Sequence, residues 1–224
     1  MSAPVVHTSA PAAHHYTTLG LDSRKIAIWA FIGSECMLFG SLIATYLIYK
    51  GKSLVGPYPH EAWTDPNTHQ AYHAILNIPV TSCSAASLLM SSVSMVLAYE
   101  AVKHRDDMNW RGRGTIFASS KLWLWATIIL GTTFLGFQSY EFTSFVHEGL
   151  TMKRNLFGST FFTLTGFHGA HVTVGVLWLL SLLVIDYKRG LKPKDAATVD
   201  IAALYWHFVD VVWIAIFTLV YLIK

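Results

Sequence analysis

The 224-residue chain is 53% hydrophobic and only 13% charged, and its 16 Lys and Arg slightly outnumber 13 Asp and Glu. A water-soluble domain carries roughly twice that share of charge, so the composition excludes an ordinary soluble protein. The net charge of +3 calls for no nucleic-acid partner, because the cations gather in the connections between apolar stretches, where membrane topology wants them.

Residues 1–25, rich in Ala, Pro, Thr and His, read as a mobile cytoplasmic tail. They lack a basic n-region and a cleavage pattern, so the first apolar stretch is expected to act as its own insertion signal. Five stretches follow, at 26–49, 75–102, 122–145, 157–185 and 203–223. Each reaches the roughly 20 residues needed to cross the hydrocarbon. The predicted fold class is all-α, a polytopic bundle of five transmembrane helices filling 26–224. Lys and Arg fix the predicted orientation. Two lie just before the first stretch, five at 103–121 and four at 188–194, all on one side; only Lys50, Lys52, Lys153, Arg154 and Lys224 fall on the other. The N-terminus is therefore expected to be cytoplasmic and the C-terminus external.

The first helix carries Glu35 roughly 13–14 Å from its cytoplasmic end. A carboxylate there costs several kcal/mol unless paired or protonated, so Glu35 is either a functional buried carboxyl or a neutral one bonded to a neighbouring helix. Cys36 and Cys83 lie inside predicted helices with no CxxC spacing, and are expected to be buried, inert thiols. In the next connection His69 and His73 have i,i+4 spacing, but no third strong ligand stands at a fixed spacing to make a metal site.

The second helix shows Ser84, Ser87, Ser91, Ser94 and Ala98 on one stripe, which reads as a close-packing seam with hydroxyls bonded to their own turn or across to the next helix. The third opens on Lys121, Trp123 and Trp125, an interfacial anchor. It closes on Gln138 and Glu141 near the outer interface, where polar groups are cheap, so Glu141 ranks below Glu35. At about 100° per residue, Gly158, Gly166, Gly169, Ala170 and Thr173 share one face of the fourth helix, and His168, His171 and Gly175 the opposite one. A small face and a polar face suggest partners on both sides and a place in the middle of the bundle. In the fifth helix His207 and Asp210 are i,i+3 neighbours, and an Asp some 10 Å into the bilayer is expected to pair with His207 or with another helix or subunit.

Three chemistries can be weighed on these residues. Haem ligation needs axial histidines facing each other, which His168, His171 and His207 could supply, but histidines on a helix packed through Gly and Ala are more often hydrogen-bonded interior groups. A transporter would show internal repeats or helices broken at midplane. A hydrolase would need a nucleophile–base pair, and none stands out. The residues describe a packing and interaction subunit with a few protonatable groups inside, and no catalytic or metal-ligating set.

The runs Gly158-Ser159-Thr160-Phe161-Phe162, Thr165-Gly166-Phe167-His168-Gly169-Ala170-His171-Val172 and Tyr205-Trp206-His207-Phe208-Val209-Asp210-Val211-Val212-Trp213 resemble signatures of subunit III of haem–copper terminal oxidases. Ser34-Glu35 and Leu76-Asn77 also fit, and the resemblance covers the chain from about Ile26 to its end. The resemblance implies a non-catalytic subunit of a proton-translocating oxidase that reduces oxygen to water in the respiratory chain. It implies direct packing on subunit I, with subunit II and other respiratory subunits as further partners. Haem and copper are expected in those partners and none in this chain, with phospholipid bound. It places Glu35 where the family has a buried, carbodiimide-reactive carboxyl, and makes His168, His171, His207 and Asp210 fold, lipid or interface residues. Mitochondrial relatives have seven helices; the five-helix form is common among bacterial cytochrome c and quinol oxidases, which implies a bacterial plasma membrane. The cytochrome c oxidase type is the expected one; an accessory subunit of a nitric oxide reductase, a quinol-fed oxidase subunit and an independent transporter are the alternatives.

Overall fold

The computed structural model describes residues 22–53, 56, 61, 63–64, 69, 71–72, 78–108 and 119–223. The histidines of the tail and His73 lie outside them, so the His69/His73 spacing has only its first member in view. Five long helices coincide with the five apolar stretches: α1 (Ser23–Tyr49), α2 (Ile78–Lys103), α3 (Ser120–His147), α4 (Leu156–Arg189) and α5 (Ala196–Phe217, entered through the 3₁₀ turn Pro193–Asp195). All five are long and apolar enough to cross a membrane. The connection between α1 and α2 carries a two-residue antiparallel ladder pairing Trp63 with Tyr72.

α1, α3 and α4 start where short polar side chains accept orphan backbone N–H groups. Asp22 accepts from Arg24 N, Ser119 from Leu122 N and Asn155 from Gly158 N. The Arg24 guanidinium, also bonded to Asp22, holds that carboxyl below the usual carboxylate range. At 34 residues and about 1.5 Å per residue, α4 is roughly 50 Å long and outruns the hydrocarbon. It stops at Gly190, whose φ of +71° suits a residue without Cβ.

α4 and α5 form the centre. α1 packs on both of them from one side, while α2 and α3 pack on each other and on α5 and α4 respectively. A lipid-exposed helix gains little from burying one alkyl group against another, so close fit and internal hydrogen bonds must hold the bundle. Trp206 on α5 supplies both. A Cβ on Gly131 of α3 would lie 2.6 Å from its ring, and one on Gly175 of α4 would lie 2.9 Å away. Its indole N–H donates to Ser91 Oγ on α2 at 2.9 Å.

Ser91 belongs to the stripe seen in the sequence. Ser84, Ser91 and Ser94 each donate back three residues, not four, to Thr81, Leu88 and Ser91 carbonyls. Ser87 crosses to the Leu130 carbonyl, and Ser94 shares a hydrogen bond with Thr127 on α3.

Two expectations change. Cys36 and Cys83 are exposed on the outer faces of α1 and α2, because α1 buries only Ile28, Ile32, Phe39 and Tyr46 and Cys83 points away from the serine stripe. The small face of α4 is a seam only in part: a Cβ on Gly169 would lie 2.8 Å from Gln138 of α3 and Gly158 is buried, but Ala170 and Thr173 are exposed and Gly166 has nothing near its missing Cβ. Bulky Trp206 adds a close approach on the histidine face, at Gly175.

Gly175→Ala should destabilise the fold by about 1–3 kcal/mol, since a ring locked between three helices cannot withdraw. Gly33→Ala, with nothing within 4 Å of the new methyl, should be neutral. Thermal unfolding of the two variants side by side checks this.

Candidate functional site

Glu35 and His171 meet across α1 and α4. His171 Nδ1 lies 2.8 Å from the Phe167 carbonyl one turn back, and a carbonyl only accepts, so Nδ1 carries a hydrogen. The other ring nitrogen, Nε2, therefore faces Glu35 Oε2 at 3.1 Å with one proton between the two groups, on the carboxyl or on the ring. Phe39 lies edge-on to the imidazole at 5.0 Å between centroids, and Tyr205 on α5 donates to the His171 carbonyl at 2.9 Å. Beside the pair a groove of about 440 Å³ opens between α1, α4 and α5, lined by Ile28, Phe31, Ala170, His171, Val174, Trp178 and Tyr205. Its walls are almost wholly apolar, and both ring nitrogens of His171 and the hydrogen of the Tyr205 hydroxyl are already engaged within the protein.

The remaining polar residues singled out in the sequence do not join this pair. His168 is completely buried and donates from Nε2 to the Val209 carbonyl at 3.3 Å, with its ring between Phe134 and Trp213. Its Nδ1 has no partner. His207 does not pair with Asp210; its Nδ1 shares a 2.7 Å hydrogen bond with Ser92 on α2. Both carboxyl oxygens of Asp210 are buried without a hydrogen bond of good geometry; the Ser92 hydroxyl, which His207 also engages, makes at most a loose one. No three His, Cys, Asp or Glu among the described residues are grouped to hold a metal.

Two further carboxyls are buried more deeply than Glu35. Glu141, placed near an interface by its sequence position, is only 7% exposed and accepts from Thr81 Oγ1 at 2.6 Å and Tyr221 Oη at 3.2 Å. Depth along a helix gave no sign of this, because the covering groups come from the start of α2 and the end of the chain. Asp186, near the end of α4, accepts from Ser120 Oγ at 2.6 Å, Arg105 Nη1 at 3.1 Å and Leu191 N at 2.8 Å. That clasp ties the last turn of α4 to the ends of α2 and α3. Only the run Asp186-Tyr187-Lys188-Arg189-Gly190, an acid just ahead of a helix stop, hinted at it.

The geometry defines a class first: a five-span helical membrane protein whose interior polar groups mostly join one helix to another. Residues 5–224 match the family model for cytochrome c oxidase subunit III. The chain is 39% identical over 213 residues to cytochrome c oxidase subunit 3 of Bacillus sp. (strain PS3), covering 95% of this chain and 92% of that one. It is 37% identical to cytochrome c oxidase subunit 3 of Bacillus subtilis (strain 168), with the same coverage. Against the quinol oxidase subunit 3 of that strain it is 34% identical, over 88% of this chain and 85% of the relative. The chain belongs to the cytochrome c oxidase subunit III family. It is thus a subunit of a multi-subunit terminal oxidase and a multi-pass protein of the bacterial plasma membrane.

The two buried aspartates should respond oppositely to neutralisation. Asp186→Asn takes the charge from a carboxylate that satisfies three donors, and should destabilise by roughly 2–4 kcal/mol. Asp210→Asn disturbs only the loose Ser92 contact and should be neutral or stabilising. Thermal unfolding of the two variants reads both.

Proposed function

We propose that the chain is the non-catalytic third subunit of a proton-translocating respiratory oxidase fed by cytochrome c. In this reading it packs directly beside subunit I, with subunit II in the same complex, and carries no redox centre. Haem and copper belong to the partners, where oxygen is reduced to water. The family match over nearly the whole chain supports this, as does the commitment of His168, His171 and His207 to hydrogen bonds within the protein. The excess of Lys and Arg at one end of the bundle supports a cytoplasmic N-terminus.

The observation that carries a role for the site is the Glu35–His171 pair beside a groove with almost wholly apolar walls. Such a groove suits a hydrocarbon chain better than a headgroup, so the occupant we assign is an acyl chain of a bound phospholipid. The pair stiffens the floor of the groove and keeps one exchangeable proton at the α1–α4 contact. Through lipid and helix packing it supports sustained proton uptake by the neighbouring subunit.

A quinol-fed complex is the second reading, favoured by relatives named quinol oxidase subunit 3 at 34–36% identity. The electron donor of the purified complex separates the two.

The complex should contain haem and copper, while this subunit alone should be colourless. Glu35→Gln keeps an amide N–H for His171 Nε2 but removes the exchangeable acid. We expect its initial oxygen consumption to match the parent, and its activity to fade sooner or its co-purified lipid to fall by mass spectrometry. Full and lasting activity with undiminished lipid would leave Glu35 a packing residue.

A further inference from the structure

α1 is the most loosely embedded helix, and its polar ties come at three levels. Lys25 pairs with Asp200 of α5 at 2.6 Å at one end, and Glu35 meets His171 partway along. At the other end Lys50, its C-cap, reaches to the end of the chain. There the last helix departs from α geometry: Thr218–Leu222 forms a π-turn, closed by Ile223 N donating to the Thr218 carbonyl at 3.1 Å. One extra residue per turn is uncommon and leaves carbonyls at the terminus open to outside donors. Lys50 Nζ donates to Ile223 O at 2.6 Å and to Leu219 O at 3.4 Å.

The opposite face of the same turn is held separately. Tyr221, nearly fully buried, donates to Glu141 of α3, which also accepts from Thr81 of α2. Rings run from α1 to this point: Tyr46 to Phe157 at 6.3 Å, Phe157 to Phe161 at 5.5 Å and Phe161 to Tyr221 at 6.3 Å. The extensive contacts of α1 are with α4 and α5, not with α2 or α3.

We propose that the C-terminal π-turn is a clasp, gripped by Lys50 on one side and Glu141 on the other, that couples the end of α1 to the α2–α3 pair. The occupant of the groove between α1, α4 and α5 plays no part in this grip. Releasing either side frees the C-terminal end of α1, while its middle and N-terminal end stay held by Glu35–His171 and Lys25–Asp200. The clasp makes α1 a flank that can loosen from one end only.

Hydrogen–deuterium exchange, read peptide by peptide in the complex purified with its partner subunits, tests the coupling. Lys50→Met should speed exchange in peptides covering 44–50 and 218–223 by about tenfold, as for losing one hydrogen bond from a charged donor. Peptides covering 28–35 and 91–102 should stay as protected as in the parent. Lys50→Arg, whose guanidinium reaches the same carbonyls, should restore protection. Tyr221→Phe keeps the ring and removes the hydroxyl; it should speed both 218–223 and 44–50 by about fivefold, although Tyr221 makes no hydrogen bond to α1. Unchanged protection of 44–50 in Tyr221→Phe overturns the coupling. Unchanged protection in Lys50→Met, or equal loosening of all five helices, overturns the clasp.

Discussion

One indole organises this bundle. In water a tryptophan at a helix crossing would gain from leaving solvent; in lipid that gain largely vanishes, and shape and hydrogen bonding must hold it. Trp206 reaches three helices from the fourth, and two glycines without Cβ let it in. Its N–H finds Ser91, whose own hydroxyl is turned back to Leu88. A β-carbon at either glycine would push α5 away from its neighbours, and the histidine face of α4 would lose its register. The positions of His168, His171 and His207 all follow from where this ring seats α5 against α2 and α4.

The acids show how differently one protein resolves the same problem. Asp186 has three donors; Glu141 has two hydroxyls; Glu35 has one imidazole and shares a proton with it. Asp210 has no well-formed hydrogen bond, only the Ser92 hydroxyl nearby. An unbonded buried carboxyl is the expensive case, and a fully bonded one contributes rigidity. The bonded acids accordingly stand where elements must be joined, at the ends of α2, α3 and α4 and between α1 and α4.

α1 contrasts with the rest. With four buried side chains and polar contacts at its two ends and within its length, it is held by few, directional interactions. Directional contacts resist sliding but not peeling, since each can open without disturbing the next. A groove bounded by such a helix has one compliant wall and two rigid ones, a suitable arrangement for a hydrocarbon chain that must fit closely yet exchange.

The sequence by itself determined the number of spans, the family and the presence of polar groups inside the membrane. Each is written locally: in the length of an apolar run, in signatures such as Phe167-His168-Gly169-Ala170-His171, or in a carboxyl a known number of turns from a helix end. The serine stripe of α2 was legible for the same reason, because 3.6-residue periodicity is a property of one helix. Pairing between helices is not written that way. The i,i+3 spacing of His207 and Asp210 suggested a contact, yet Ser92 of another helix took the histidine. Rotation of a helix about its axis is also free until its neighbours pack, which is why Ala170 and Thr173 of α4 and the two cysteines turned outward. Glu141 and Asp186 could not be ranked from depth alone, since what covers them arrives from residues up to 81 positions away. Only the tertiary structure decided those partners, because burial of a polar group depends on what the rest of the chain brings to it.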